Sequence, residues 1–412
     1  MYKATDQLIV NAGNLIIGWL VALCDWTWRT TTGQPLSPAA AQDIVNFLAM
    51  AAIAATILLV FALCFGLITW LERKVLARIQ NRYGPNRVGP YGLLQFVADG
   101  VKMLIKEDIV PRRADKLIHL LAPVAIVVPA LLMFAFIPFG RNMAPTDLDT
   151  AVIGFFAVGA ASELAVFLAG WASRNKYSML GAMRAVAQMV SCEIPLVLTA
   201  IPVVMIVGSL NASAIVAAQA TGGFWDISGW FVWTPWGFAG FILFLVAATA
   251  EANRCPFDLP EGESEIVAGF HIEYSGFKFA LFYMAEYFGA MAMAGLGITL
   301  FLGGWHGPHF LPSWAWFLLK GFGIICVLIW VRGTFPRLRV DQLMGFAWKV
   351  MLPFGLFNIL ATALWYWLPR ATFGGRALTW LVTAGIIAGA YVIIIRYSAK
   401  RTIERRTYRY AT

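Results

Sequence analysis

Charge is what this chain has least of. Only 13% of its 412 residues are Asp, Glu, Lys or Arg, against roughly 25% in a soluble domain. A soluble globule could not cover its surface with so few charges. Clustered metal and redox ligands are also missing. The five cysteines, Cys24, Cys64, Cys192, Cys255 and Cys326, are isolated, with no CxxC and no close Cys/His group. An iron–sulfur or zinc site within the chain is therefore not expected, and the cysteines read as small apolar fillers. There are four histidines, and the pair His306 and His309 in GGWHGPHF lacks a nearby third ligand. The glycine pairs Gly295/Gly297 and Gly321/Gly323 lie inside apolar runs without a third glycine, so no nucleotide or flavin fingerprint is present.

What fills the chain instead is apolar. Hydrophobic residues make up 60% of it, and the mean hydropathy is +0.72. These values exclude a disordered chain, a collagen and a disulfide scaffold, and they give an all-α polytopic membrane protein. Runs near the roughly 20 residues of a span fall at 44–70, 117–139, 151–171, 181–208, 236–250, 277–304, 312–331, 346–368 and 378–396. A shorter run, 8–24, contains Asn11 and Asn14 and reads as a marginal span or interfacial helix.

The net charge of +9 would point to nucleic acid in a soluble chain. Here it follows from the rule that cytoplasmic loops carry Lys and Arg, and no nucleic-acid partner is expected. The stretch after 44–70 holds Arg73, Lys74, Arg78, Arg82 and Arg87. The loop at 140–150 holds only Arg141, and the loop at 209–235 holds no Lys or Arg. Basic residues return at Arg174 and Lys176, and again at Arg332, Arg337 and Arg339. This alternation places the first loop in the cytoplasm. The tail Lys400, Arg401, Arg405, Arg406 and Arg409 falls there too, provided 378–396 spans.

Three loops on that side are rich in Arg, Pro, Gly and acids. The first, LERKVLARIQNRYGPNRVGPYG, could hold an anionic partner or anionic lipid. It runs into YGLLQFVADGVKMLIKED, where Gln95, Asp99, Lys102 and Lys106 follow helical spacing and the apolar residues take the other side. That suits a helix at the membrane surface or one packed on a soluble partner. The second, AEANRCPFDLPEGESEIVAGFHIEYSG, carries Glu251, Asp258, Glu261, Glu263, Glu265 and Glu273. The third is RGTFPRLRVDQLMGFAWK. Acidic and basic loops on one side can pair across a cavity. A divalent metal is the weaker reading, because DLPEGESE lacks the alternation of a calcium loop.

Glu163, Glu193 and Glu286 fall within predicted spans. An intramembrane carboxylate is costly and marks a functional candidate. Pro195, two residues after Glu193, leaves a carbonyl one turn earlier without its helical donor. A structural hydrogen bond could explain one such acid. Three acids plus the loop acids favour a proton or cation path.

Four segments carry a resemblance. They are LERKVLARIQNRYGPNRVGPYGLLQFVADGVKMLIKED, GWASRNKYSMLGAMRAVAQMVSCE, AEANRCPFDLPEGESEIVAGFHIEYSGFKFALFYMAEY and RGTFPRLRVDQLMGFAWKVMLP. They closely resemble, in matching order over roughly 44–368, the H subunits of bacterial NADH–quinone oxidoreductase, respiratory complex I. Mitochondrial NADH dehydrogenase subunit 1 is similar.

The resemblance implies an eight-helix core over 43–368, in the bacterial inner membrane, at the joint of the peripheral and membrane arms. Residues 1–42 and 369–412 exceed that core as an N-terminal extension and an extra C-terminal helix with a basic tail. It implies that Glu72, Arg73, Lys74, Arg78 and Arg82, with Arg254, Asp258, Glu261, Glu263, Glu265 and Glu273, help form a quinone chamber. It implies that Glu193, Glu251 and Glu286, with Glu163, belong to the path from that chamber to the proton channels. Quinone is then the substrate. Flavin and iron–sulfur clusters belong to partner subunits of both arms, and this chain has no catalytic redox residue or metal ligand of its own. Two other readings remain open: the related subunit of a membrane-bound hydrogenase or deazaflavin-coenzyme dehydrogenase, and a self-contained ion-coupled transporter, which inverted repeats would favour.

Overall fold

The computed structural model describes residues 38–141, 143–220, 227–259, 268–308, 310–368 and 373–402. The apolar run at 8–24, the acids Glu261, Glu263 and Glu265, His309 and the tail beyond 402 lie outside the described residues.

In hydrocarbon every backbone N–H and C=O needs an internal partner, so long apolar runs become helices. In chain order these are α1 (Pro38–Ile79), α2 (Gln95–Ile105), α3 (Lys116–Leu132), α4 (Ala151–Ala172), α5 (Lys176–Val207) and α6 (Ala212–Ala218). There follow α7 (Pro235–Glu251), α8 (Gly276–Phe301), α9 (Ser313–Thr334), α10 (Val340–Phe346), α11 (Leu352–Trp367) and α12 (Phe373–Thr402). Each of the nine runs expected to span falls on such a helix. Eight helical segments are long and apolar enough to cross a membrane. The remaining one, α7, has 17 residues, the lower limit for a span. The chain is a multi-pass membrane protein.

The boundaries differ from the expected runs for physical reasons. The first helix continues past Trp70 to Ile79, so Glu72, Arg73, Lys74 and Arg78 sit on its last turns. The helix α8 stops at Phe301 because Gly303 and Gly304 take positive φ, 71° and 53°. There Lys320 of α9 donates to the carbonyls of Leu302, Gly304 and His306 at 2.6, 2.8 and 2.5 Å. An ammonium inside a span is thereby spent on otherwise unpaired carbonyls. Between α10 and α11 the backbone takes a π turn, Ala347–Met351. Pro353 has no N–H for the carbonyl four residues earlier, so the ladder shifts there by one residue.

The central element is α8, buried along most of its length between α3, α7 and α9. It carries the fully buried rings Phe282, Phe288 and Phe301, and its surroundings supply Phe134, Phe155 and Phe244. Between membrane helices such dispersion contacts, rather than exclusion of water, hold the bundle together. The ends of α1, α7 and α9 and the start of α8 meet at one end of the bundle, with α2 beside them. This is the polar end.

Candidate functional site

At the polar end a cavity of about 1040 Å³ opens between α1, α2 and α8. Phe65, Thr69 and Arg73 of α1 form one wall, and Phe96, Asp99, Gly100, Lys102 and Met103 of α2 another. Phe279, Ala280 and Tyr283 of α8 face them. Asp258, His271, Arg332 and Arg337 close the inner side. The lining is thus aromatic and apolar toward α1, α2 and α8, and charged at depth.

The helix α2 is amphipathic, as its spacing predicts. Its polar side turns inward: Arg73 Nη1 is 2.6 Å from Asp99 Oδ2, and Lys102 Nζ is 3.7 Å from Asp99 Oδ1. Leu94, Val97, Val101, Leu104 and Ile105 are exposed on the other side. That is the arrangement of a helix lying in a membrane interface. It docks on α1 through Gly66, where an added Cβ would come within 2.6 Å of the Phe96 ring. Its C-terminal connection is tied to the start of α8: Lys278 Nζ is 2.7 Å from Asp108 Oδ2, and Ile109 N donates to Ser275 Oγ at 2.8 Å.

Behind the charged wall sits a buried group on four segments. Glu72, 5% exposed, accepts from Tyr287 Oη at 2.5 Å. It also accepts from Arg254 Nη1 at 3.4 Å and from Arg332 Nη1. The Arg254 guanidinium lies 3.8 Å from the centre of the Tyr287 ring. Burial alone would lower the pKa of Arg254; the nearby Tyr287 and Glu72 hold it above its ordinary value. Two guanidinium groups against one carboxylate leave this wall net positive.

A line of titratable groups leaves the cavity on its inner side. His271 lines the cavity and is 4% exposed. Its Nε2 is 3.9 Å from Glu286 Oε1. Glu286 and Glu251 both line a second, small cavity of about 50 Å³, together with Ser162, Met189 and Asn253. Glu251 ends α7, is buried, and keeps Oε2 without a hydrogen-bond partner among the described residues. It lies within electrostatic reach of Glu163 and Glu193, whose carboxyls stand close to each other. The order is therefore cavity, His271, Glu286, Glu251, then the Glu163–Glu193 pair.

Pro195 does not interrupt α5, which runs unbroken through both Pro195 and Pro202. Gln188 on the same helix donates to the carbonyls of Ala250 and Phe257 at 2.8 and 2.7 Å, fixing the end of α7 where Glu251 stands. Close approach of α5 to the 269–271 turn requires glycine at 181, since a Cβ there would fall 2.6 Å from Gly269 Cα.

Not every expected site residue meets the cavity. Arg73 and Asp258 line it, and Glu72 and Arg254 stand directly behind Arg332. Lys74 instead covers the rings of Trp70 and Tyr91 at 4.9 and 5.5 Å. Arg78 stacks on Tyr83 at 5.7 Å, and Arg82 donates to Gln80 at 2.7 Å. Both are exposed and absent from the lining. Glu273 accepts from Asn175 Nδ2 at 2.7 Å and serves the junction of the loops before α5 and α8. Glu261, Glu263 and Glu265 are outside the described residues. Sequence reasoning did not assign His271, Tyr287, Arg332 or Arg337 to the site. The signal for His271 was available: it is one of four histidines and sits in the acidic loop, in FHIEY.

Residues 51–363 match the NADH dehydrogenase family. Several bacterial proteins named as H subunits of NADH-quinone oxidoreductase are similar along most of their length. The one from Dehalococcoides mccartyi is 51% identical over 294 residues, covering 71% of this chain and 80% of its own. Those from Geobacillus kaustophilus and Brevibacillus brevis are each 48% identical, covering 78% and 76% of this chain and 94% and 91% of theirs. With a match of this extent, the chain belongs to the NADH dehydrogenase family of membrane subunits.

Proposed function

We propose that this chain is the membrane subunit of a proton-pumping NADH–quinone oxidoreductase that walls the quinone chamber and passes the energy of quinone reduction into the membrane. The observation that carries this reading is the continuity from the large cavity through His271 and Glu286 to Glu251 and the Glu163–Glu193 pair. The names of the relatives favour a quinone over a hydrogenase or deazaflavin partner.

The chemistry of the walls fits that role. An isoprenoid quinone has an apolar tail and a polar ring. The apolar rings of Phe65, Phe96 and Phe279 suit the tail, and the exposed apolar side of α2 suits an opening that faces the membrane. Arg332 and Arg337 at depth suit the ring carbonyls, where negative charge develops on reduction. Reduction takes two electrons and two protons. The electrons come from iron–sulfur clusters of peripheral-arm partners, which also hold the flavin.

Charge appearing in the cavity acts strongly on buried groups, because little solvent lies between to screen it. His271 is the first to feel it, and Glu286 is the next. A proton drawn toward the cavity leaves the line of glutamates with a changed charge, which the membrane-arm partners can use. In this reading the core is 43–368, the membrane is the bacterial inner membrane, the polar end is cytoplasmic, and so is the tail after α12.

The test is a comparison in membranes of a strain carrying His271→Gln. NADH oxidation with ferricyanide, which draws electrons before the quinone, should stay near wild type. Quinone-linked turnover should fall at least tenfold. Unchanged turnover would remove His271 from the coupling route and leave the cavity without its connection to the glutamates.

A further inference from the structure

The helix α12 lies beyond the family match, which ends at residue 363. It packs on α11 and α7 but does not close against them. A groove of about 740 Å³ runs between the three helices. Its wall on that side starts at Trp233, just before α7, and follows α7 from Phe238 to Val246 near the polar end. Its wall from α12 runs from Trp380 to Ile394. That is 14 helical rises, or about 21 Å at 1.5 Å each. Phe346, Val350 and Phe354 form the third wall, and the lining is almost wholly apolar.

We propose that this groove seats an acyl chain of one anionic phospholipid, held by its headgroup at the polar end. Three observations support this occupant. First, the groove lies within the spans and offers almost nothing to hydrogen-bond, so water does not suit it. Second, the groove stays apolar along its whole length, from Trp380 to Ile394 on α12. An unbranched hydrocarbon chain fits, and 21 Å exceeds the roughly 15 Å depth of one leaflet. Third, charge gathers at one end only. The exposed residues Lys349, beside Val350, and Arg396, two residues past Ile394, flank the polar end of the groove. The sequence then continues through Lys400, Arg401, Arg405, Arg406 and Arg409. Basic residues just beyond a span attract anionic headgroups. The opposite end carries Trp233 and Trp380, residues typical of an interface belt.

The occupant gives α12 a role. Without it, the side chains of α7 and α11 along the groove would lack dispersion partners on one side. With it, the extra helix, the lipid and the core form one packed unit.

The test uses the complete assembly, purified and placed in phosphatidylcholine vesicles. Trace phosphatidylglycerol or phosphatidylcholine carrying a diazirine on one acyl chain is added, the sample is irradiated, and adducts are mapped by mass spectrometry. Adducts should fall on groove residues such as Ala384, Ala388 and Ile242, and should favour phosphatidylglycerol. Lys349→Ala and Arg396→Ala should each cut that preference about fivefold. Ala384→Trp with Ala388→Trp should fill the groove and abolish the adducts. The wild-type map stands even if the tryptophan variant fails to assemble. Three results would overturn the proposal: adducts only on the outward side of α12, at Leu381 or Val392; equal labelling of the groove by both headgroups; or shielding of the groove from both probes by a partner helix.

Discussion

Tyr287 donates to Glu72 at 2.5 Å, while the Arg254 guanidinium lies 3.8 Å from the centre of the Tyr287 ring. One tyrosine thus supplies a proton donor to the carboxylate and a π face to the arginine that neutralises it. Removing only the hydroxyl separates these roles. Tyr287→Phe keeps the ring over Arg254 and deletes one hydrogen bond to a buried charge, worth about 1.5–3 kcal/mol. The assembled protein should melt at a lower temperature yet still form, which a thermal-shift assay on purified complex would read.

Glu72→Gln should be far worse. It leaves Arg254 and Arg332 facing each other, buried, with no anion between them. Breaking a buried ion pair by removing one partner costs about 3–5 kcal/mol. Little assembled complex should reach the membrane, as judged by native gels. Normal amounts would show that another acid neutralises the two arginines.

Arg73 and Arg78 are one helical turn and a half apart in the same motif, and the sequence gives no ground for ranking them. The structure does: Arg73 faces the cavity and pairs with Asp99, whereas Arg78 is exposed over Tyr83. Arg73→Ala should raise the KM for a short-chain quinone roughly fivefold, the size of one hydrogen bond of about 1 kcal/mol. Arg78→Ala should leave it unchanged. Equal effects would mean the quinone approaches by the outer side of α1.

That pair shows where sequence reading stops. Helix-length apolar runs and loop charge are one-dimensional signals, so the nine spans, the amphipathic α2 and the intramembrane acids were legible. The grouping of Glu72, Arg254, Tyr287 and Arg332 was not, because these residues are up to 260 positions apart and meet only when α1, α8 and α9 pack. The resemblance implied a chamber role for Glu273 beside Asp258. Its side chain goes to Asn175 because the chain turns at Gly269 and Gly276, both at φ 57°. The unbroken course of α5 through Pro195 was also beyond the sequence, since neighbouring helices compensate a missing N–H.

If His271 and Glu286 act in series, their substitutions should not add. His271→Gln and Glu286→Gln should each lower proton pumping per NADH. The double variant should be no worse than the poorer single one, since contacting groups in one path couple. Additive losses would assign the two residues to separate routes. Ferricyanide reduction in the same membranes reports whether the peripheral arm is intact.

Glu193 gives the most demanding test. It is partly exposed on α5, and its carboxyl stands close to that of the buried Glu163. Two neighbouring carboxyls that share a proton take up or release one with little rearrangement. Glu193→Gln keeps the size and can still donate to Glu163, so a purely structural glutamate would tolerate it. It cannot ionise, so the pair would lose its exchangeable charge, and Glu251 would face one acid fewer. Quinone-linked turnover and the proton gradient should both fall sharply, by tenfold or more, while the amount of assembled complex stays near wild type. Glu163→Gln should act in the same direction, because either half of the pair is needed for exchange. Normal turnover and gradient in both variants would make the pair a structural clasp between α4 and α5, and the route from Glu251 would have to leave the subunit elsewhere.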